Sequence, residues 1–326
     1  MFHGGGQDIA AKCLDKLAVG QRVVYAPAKI NLRLKVLGRR TDGYHLLSML
    51  NASASLSDEI SVSFSAETSS NVSCHGLTSE HIPVAHNLVM RAYDLFWRSC
   101  GYNNPPFALN AQIKKLIPIG GGLGGGSSDA AVLLNFLIEE LADIVADGGI
   151  CSKQTLRSRV IESALSLGAD VPYAMQQGLC WVRGVGEVVT PISAVPQWLN
   201  LLNRAVIITV PTQSVPTSEF YDFYRQNMVF PDEVVEEDPV MHKALNGEGC
   251  SLEQLLVNDF EPYIRRFRPE IGDILDHVRS FFSNTSITGS GAAIFSIVTE
   301  DQLESLEDYR KSVSSKGIMV HKVKLL

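Results

Sequence analysis

Between positions 120 and 126 the chain carries six glycines in seven residues, with Leu123 the exception. Glycine gives up more conformational freedom on ordering than any other residue, so such a run cannot serve as the interior of a helix or a strand. It must be a loop whose backbone takes positive φ or is closely approached by something else. The flanking segments narrow the choice. Residues 107–117 alternate apolar positions at Leu109, Ala111 and Ile113, which predicts a strand. Residues 130–145 are apolar nearly all round, which predicts a buried helix. A glycine loop leading from a strand into such a helix suits an anion. The helix N-terminus offers unpaired N–H groups and a partial positive charge, and the loop lets the ligand reach the backbone. Ser127 and Ser128 add hydroxyls for phosphate oxygens or a metal ion. The plainer alternative is a surface loop with Ser127 or Ser128 as an N-cap.

Three kinds of phosphate loop compete. Gly120, Gly122 and Gly125 match the dinucleotide fingerprint Gly-x-Gly-x-x-Gly, which expects an acidic residue about 20 positions on, at the end of a second strand. Glu139 and Glu140 fall near that distance but within the predicted helix, so a nicotinamide-dependent dehydrogenase stays as an alternative from another class. The P-loop of nucleotide hydrolases ends in Gly-Lys-Ser/Thr, and Gly126-Ser127 lacks the lysine.

The rest of the chain is that of an ordinary globular protein. Its 326 residues suit two domains, and 45% apolar residues suffice for a sizeable core. The formal net charge of −7 argues against an open nucleic-acid-binding face, which needs clustered Lys and Arg. No apolar run reaches the roughly 18 residues that span a bilayer, and residues 1–20 lack the pattern of a secretory signal or transit peptide. A cytoplasmic protein that does not engage membranes is expected, with residues 1–20 a poorly constrained extension. The six cysteines show no metal-ligand spacing and are expected as free thiols in a reducing compartment. Residues 22–37 suggest two strands meeting near Pro27, residues 46–62 more strand, and residues 87–100 a helix. Residues 153–167 suggest a helix capped by Gly168. A boundary is expected near residues 191–204, giving domains of 21–195 and 196–326. Residues 221–249 are expected to include a long loop. A turn at Gly289-Ser290-Gly291 divides the strand-like residues 286–298, and residues 301–313 and 318–325 suggest a closing helix and strand.

Pro118-Ile119-Gly120-Gly121-Gly122-Leu123-Gly124-Gly125-Gly126-Ser127-Ser128-Asp129-Ala130-Ala131 resembles the second motif of the GHMP kinase superfamily. Ala26-Pro27-Ala28-Lys29-Ile30-Asn31-Leu32 resembles the first, and Thr288-Gly289-Ser290-Gly291-Ala292 the third. Three motifs in order are far more specific than one glycine run. The first continues as Leu37-Gly38-Arg39-Arg40-Thr41-Asp42-Gly43-Tyr44-His45, which is similar to one branch, the kinases of a cytidine diphosphate-linked methylerythritol in isoprenoid precursor synthesis. Gly168-Ala169-Asp170-Val171-Pro172, Gly184-Val185-Gly186-Glu187 and Asn258-Asp259-Phe260-Glu261 match as well, so the resemblance covers residues 25–298. The N-terminal extension and the acidic stretch 232–238 lie outside it. Asp129 stands where the motif more often has Asn.

The resemblance implies an α+β GHMP kinase fold. Its N-terminal domain would be ribosomal-S5-like with a left-handed βαβ crossover, against the usual right-handed rule, and its C-terminal domain ferredoxin-like. It implies transfer of the ATP γ-phosphate to the 2-hydroxyl of the cytidine diphosphate-linked substrate, with Mg²⁺ as counter-ion. It implies Asp170 as the base and Lys29 as the lysine beside it that keeps the base ionised. Asn31 would bond the substrate near the reacting hydroxyl. Tyr44 and His45 would hold the cytosine, with Thr217 and Tyr221 lining the same site. Residues 118–128 would bind the ATP phosphates, Asn87 and Lys114 would lie near adenine and ribose, and Gly289, Ser290 and Gly291 would back the site. The expected assembly is a monomer or weak homodimer. Without the motifs, Asp170 before Val-Pro would be a helix N-cap and Lys29 a solvated charge. A GHMP kinase for homoserine or mevalonate, and a non-catalytic nucleotide-binding module, remain alternatives.

Overall fold

The computed structural model describes residues 5–18, 20–67, 69–77, 84–192, 201–228 and 237–326. Most of the boundary segment 191–204 and most of the acidic stretch 232–238 lie outside the described residues. The chain divides into two compact units, each assembled from three stretches of sequence: Met1–Pro27, Ser57–Ile117 and Gly125–Met175 in the first, Ala28–Leu56, Pro118–Gly124 and Gln176–Leu326 in the second. Two long strands, β1 (Arg22–Arg39) and β2 (His45–Ser65), belong in part to each.

In the first unit the second half of β2 pairs antiparallel with β4 (Ala108–Lys115), and β3 (Asn71–Gly76) pairs parallel with β4. A parallel pair requires a crossover, and helix α2 (Leu88–Ser99) supplies it. Asn87 caps α2, its side chain accepting the Val89 N–H at 2.9 Å. Helix α3 (Gly125–Asp147) is the predicted buried helix, with Ala130, Ala131, Leu133, Leu134, Leu137 and Leu141 inaccessible. It packs with α2, α4 (Lys153–Ala164) and the N-terminal helix α1 (Gly5–Leu17) into one apolar core. The short helix α5 (Val171–Gln176) completes the unit.

In the second unit the first half of β2 pairs with β5 (Cys180–Gly184), which turns back through a hairpin into β6 (Val188–Pro191). A separate sheet holds β7 (Ala205–Val210), β8 (Thr285–Ile287), β9 (Ile294–Val298) and β10 (Met319–Lys324) in the order β10-β7-β9-β8, antiparallel throughout. The fourth strand beside the first, then the third, then the second, with helices in the two long connections, is the ferredoxin-like βαββαβ arrangement. The first connection contains α6 (Thr217–Asn227), α7 (Pro239–Leu245), α8 (Leu252–Leu255), α9 (Glu261–Phe267) and α10 (Pro269–Arg279). The second contains α11 (Glu300–Leu303) and α12 (Leu306–Val313), two short helices where the sequence suggested one.

Three expectations need correction. Residues 22–39 form one strand rather than two, because β2 is the one named strand that β1 pairs with, and Pro27 therefore interrupts no second strand ladder. The N-terminal segment is not loose, since α1 places Ile9, Cys13 and Leu17 in the core, four residues apart on one face. Helix α4 ends at Ala164 with Leu165 at its C-cap, so Gly168 is not the cap. Within 221–249, expected to include a long loop, α6 and α7 occupy the two described parts, and residues 229–236 between them lie outside the described residues. The six cysteines are free thiols. Among the described residues no helix is long and apolar enough to cross a membrane.

Candidate active site

The first and second sequence motifs meet in the second unit. The Lys29 backbone N–H donates to the Leu123 carbonyl at 2.9 Å, and the Lys29 side chain runs across Gly124. Gly124 has φ of +68°, and a Cβ there would stand 2.6 Å from Lys29 Cγ, so only glycine lets the lysine lie where it does. The third motif closes on the same loop. Gly122 has φ of +75°, and a Cβ on it would stand 2.5 Å from the Thr288 carbonyl oxygen. Ala293 N–H also donates to the Gly121 carbonyl at 3.0 Å. Asn258 holds this third turn from beneath, its amide donating to the Ile287 and Gly289 carbonyls at 2.8 and 2.9 Å.

Lys29 is buried, and its Nζ donates to Asn31 Oδ1 at 2.6 Å. The Asn31 backbone N–H donates to the Thr288 hydroxyl at 2.9 Å, and its side-chain Nδ2 donates to Asn51 Oδ1 at 2.6 Å. Gly289 packs against Asn31 Oδ1. Lys29, Asn31, Pro118–Gly124 and the Gly289–Gly291 turn are thus one polar cluster.

A second cluster in this unit is aromatic. The β1–β2 hairpin closes with Arg40 N–H on the Tyr44 carbonyl, and Tyr44 N–H meets Asp42 Oδ1. This leaves the Tyr44 ring 64% exposed and turns His45 inward. The His45 ring lies 5.7 Å from Tyr221, tilted by 30°, and edge-on to Tyr224 at 5.2 Å. Burial, with the charges of Arg39 and Arg225 behind it, holds the His45 imidazole below its ordinary pKa. It is neutral at pH 7, with one donor and one acceptor nitrogen. Thr217 is exposed at the start of α6, one turn before Tyr221.

The first unit holds the remaining candidates. Gly125, Gly126, Ser127 and Ser128 form the first turn of α3, where backbone N–H groups have no helical acceptor. The Ser128 hydroxyl donates to the Pro27 carbonyl at 2.7 Å, which leaves Ser127 as the hydroxyl open to a ligand. Gly168 packs beside Ser127 Oγ, bringing the Gly-Ala-Asp-Val-Pro segment to this helix end. Asp170 precedes α5 and its carbonyl accepts the Ala174 N–H at 2.9 Å, a capping position in the backbone. Asn87 is buried as the α2 cap. Lys114 is exposed and faces Glu59 across the strands. Its neighbour Lys115 is the inward lysine, bridging Asp58 Oδ2 at 2.5 Å and Asp129 Oδ2 at 2.7 Å. The sequence reading passed over Asn51, Asp58 and Lys115; it named Asp129 only as a departure from the second motif and Asn258 only as part of a matching segment. Strand alternation could have marked Lys115, since it shares a face with Ile113; Asn51 carries no such signal.

The first turn of α3 fits a polyphosphate through backbone N–H groups that have no helical acceptor, whereas the glycines at 122 and 124 make room for the Thr288 carbonyl and the Lys29 side chain. Among the described residues no three His, Cys, Asp or Glu gather to hold a metal ion. A Mg²⁺ here would be carried mainly by the phosphates, as that ion commonly is.

The sequence model of the GHMP kinases N terminal domain matches residues 87–178. A 4-diphosphocytidyl-2-C-methyl-D-erythritol kinase from Syntrophotalea carbinolica is 33% identical over 84% of this chain and 89% of its own. The chain belongs to the 4-diphosphocytidyl-2-C-methyl-D-erythritol kinase family. A crystal structure of 4-(cytidine 5'-diphospho)-2C-methyl-D-erythritol kinase superposes with a TM-score of 0.65 at 28% identity, covering 93% of this chain and 99% of that one. The mevalonate kinase of Methanococcus jannaschii, at 15% identity and a TM-score of 0.63 over 94% of this chain and 99% of its own, shares the fold. Within the 4-diphosphocytidyl-2-C-methyl-D-erythritol kinase family the dinucleotide fingerprint loses its force. Glu139 and Glu140 lie inside α3 rather than at a strand end, and Glu140 pairs with Lys16.

Proposed function

We propose that this kinase transfers the ATP γ-phosphate to the 2-hydroxyl of 4-diphosphocytidyl-2-C-methyl-D-erythritol, giving the 2-phosphate and ADP. The observation that carries the reading is the Lys29 side chain packed across Gly124, which joins the first motif to the phosphate loop. In the reaction the substrate oxygen forms a bond to the γ-phosphorus, the bond to the β,γ-bridging oxygen breaks, and the hydroxyl proton passes to Asp170. Phosphoryl transfer is mostly positioning and charge neutralisation. Residues 118–128, with the N–H groups of the first turn of α3, hold the phosphates; Mg²⁺ would add charge neutralisation. Lys29 carries positive charge at the reacting centre, and Asn31 bonds the alcohol. Tyr44, His45, Thr217 and Tyr221 hold the cytosine, where a neutral imidazole can read both a donor and an acceptor on the base edge. Asn87 and Lys114 belong to the adenosine end of the proposal, and Gly289, Ser290 and Gly291 to the back of the site. Residues 21–195 would be the ATP-binding domain and 196–326 the C-terminal domain, in a monomeric or weakly dimeric cytoplasmic enzyme.

The test is ADP release with ATP and magnesium against diphosphocytidyl-methylerythritol, homoserine and mevalonate. Turnover is expected with the cytidine compound alone. The Asp170→Asn variant should lose about 10²- to 10⁴-fold in turnover, the usual worth of a general base, while still binding ATP. Turnover with another alcohol would discard the substrate, and a loss below about threefold would return Asp170 to the role of a helix cap.

A further inference from the structure

Asn51 sits in β2 with no exposed surface. Its Oδ1 accepts from Asn31 Nδ2 at 2.6 Å, while its own Nδ2 meets no acceptor among the described residues. A buried unpaired donor gives up its hydration with nothing in return. A leucine of similar volume would fill the same space without that cost. What asparagine offers and leucine does not is the oxygen.

The orientation of both amides follows from the bonds around them. Asn31 Oδ1 is taken by Lys29 Nζ at 2.6 Å and by the Thr288 hydroxyl at 3.3 Å. Its NH₂ is therefore the end that faces Asn51, and Asn51 must present oxygen. One hydrogen of that NH₂ is fixed on Asn51. Among the described residues the other meets only Met49 Sδ at 3.5 Å, a weak acceptor.

We propose that Asn51 is a positioning residue for phosphoryl transfer. By fixing one Asn31 N–H it keeps Asn31 Oδ1 on the Lys29 ammonium and leaves the sulfur-bound N–H as the one an alcohol oxygen can take. Without the Asn51 oxygen the Asn31 amide is held at its oxygen end alone, by Lys29 and Thr288, and its NH₂ loses the partner that fixes its direction. The inference rests on the kinase reading for its effect on turnover, but not for its effect on the amide.

Two substitutions separate these. Asn51→Leu removes the oxygen and keeps the volume; Asn51→Asp keeps an acceptor at the same place. Asn51→Leu should lower kcat about 10- to 100-fold, as loss of a supporting partner commonly does, with KM for ATP little changed. Asn51→Asp should restore most of kcat. In ¹H–¹⁵N spectra, without substrate, the Asn31 side-chain amide, assigned by its loss in Asn31→Asp, should exchange slowly in the wild type and rapidly in Asn51→Leu. Unchanged exchange and unchanged kcat in Asn51→Leu would overturn the proposal. So would equal losses of kcat and thermal stability in both variants, which would mark a purely structural residue. Altered exchange in a protein that phosphorylates none of the three alcohols would uphold the positioning and sink the kinase reading instead.

Discussion

Lys115 holds one positive charge between two buried carboxylates, and the balance is unfavourable to the second. Burial pushes the Asp129 carboxyl up to about 7, against the pull of Lys115 and with the charge of Asp58 adding to the rise. Asp129 Oδ1 has no hydrogen-bond partner among the described residues. A carboxyl whose folded pKa is raised contributes stability below its unfolded value, near 3.8, and loses it as pH rises through the folded value. Stability should therefore fall between about pH 4 and pH 7 on account of this one residue. Asp129→Asn should remove that decline. Urea unfolding at about pH 5 and pH 8 should show the variant gaining on the wild type by about 1–3 kcal/mol at the higher pH, since one pKa unit is worth about 1.4 kcal/mol. A gap that does not change with pH would reject the assignment. At this scale the sequence was legible only where a motif spoke. Lys29, Asn31 and His45 were marked by their motifs, and the structure places Lys29 with Asn31 and His45 with Tyr221. Asn51, Asp58 and Lys115 were not, because a buried polar residue in a strand looks the same in sequence whether it serves a network or none.

The glycine loop acts as an element because each glycine answers to a different neighbour. Gly122 is confined by the third motif and Gly124 by Lys29. Gly124→Ala adds the cost of positive φ for a side-chain residue, about 1–2 kcal/mol, and displaces Lys29. Turnover should drop at least about tenfold, the equivalent of 1.4 kcal/mol in the barrier. Gly149→Ala is the control, with a similar φ of +73° and nothing within 4 Å of the added carbon. It should lose stability but keep turnover; equal loss in both would show that strain alone matters. Elements with a strong local signal, such as α3, apolar nearly all round, and the β8–β9 hairpin with its Gly-Ser-Gly turn, could be read from the sequence. Helix α1 could not, because its buried face includes Cys13 and its start is glycine-rich. The single strand β1 was obscured by Pro27, whose effect depends on how many ladders the strand joins, and that is set by tertiary pairing rather than by local sequence.

At the scale of the whole molecule, the contact between Arg33 and Asp238 spans 205 residues. Arg33 bonds both Asp238 oxygens at 2.7 and 2.9 Å, the Ser48 hydroxyl donates to one of them, and Trp181 Nε1 donates to Ser48. Burial alone would raise the Asp238 carboxyl, but the guanidinium on its two oxygens holds it below its ordinary range. Its stabilisation is present above the unfolded pKa and is lost in acid. Asp238→Asn should cost about 3–5 kcal/mol by leaving Arg33 buried without its counter-charge, whereas replacing both by apolar residues of similar size should cost far less. Thermal unfolding of the single and double variants tests this, and equal losses would show that the pair is stabilising in itself. The interleaving of the two units has a consequence for inheritance. Each is written in three separate passages of the gene, and β1 and β2 carry the chain from one to the other in mid-strand. No single cut yields either unit intact. A recombination event that exchanges half the gene with a distant relative therefore fills each unit with strands from two parents, whose packing was never selected together.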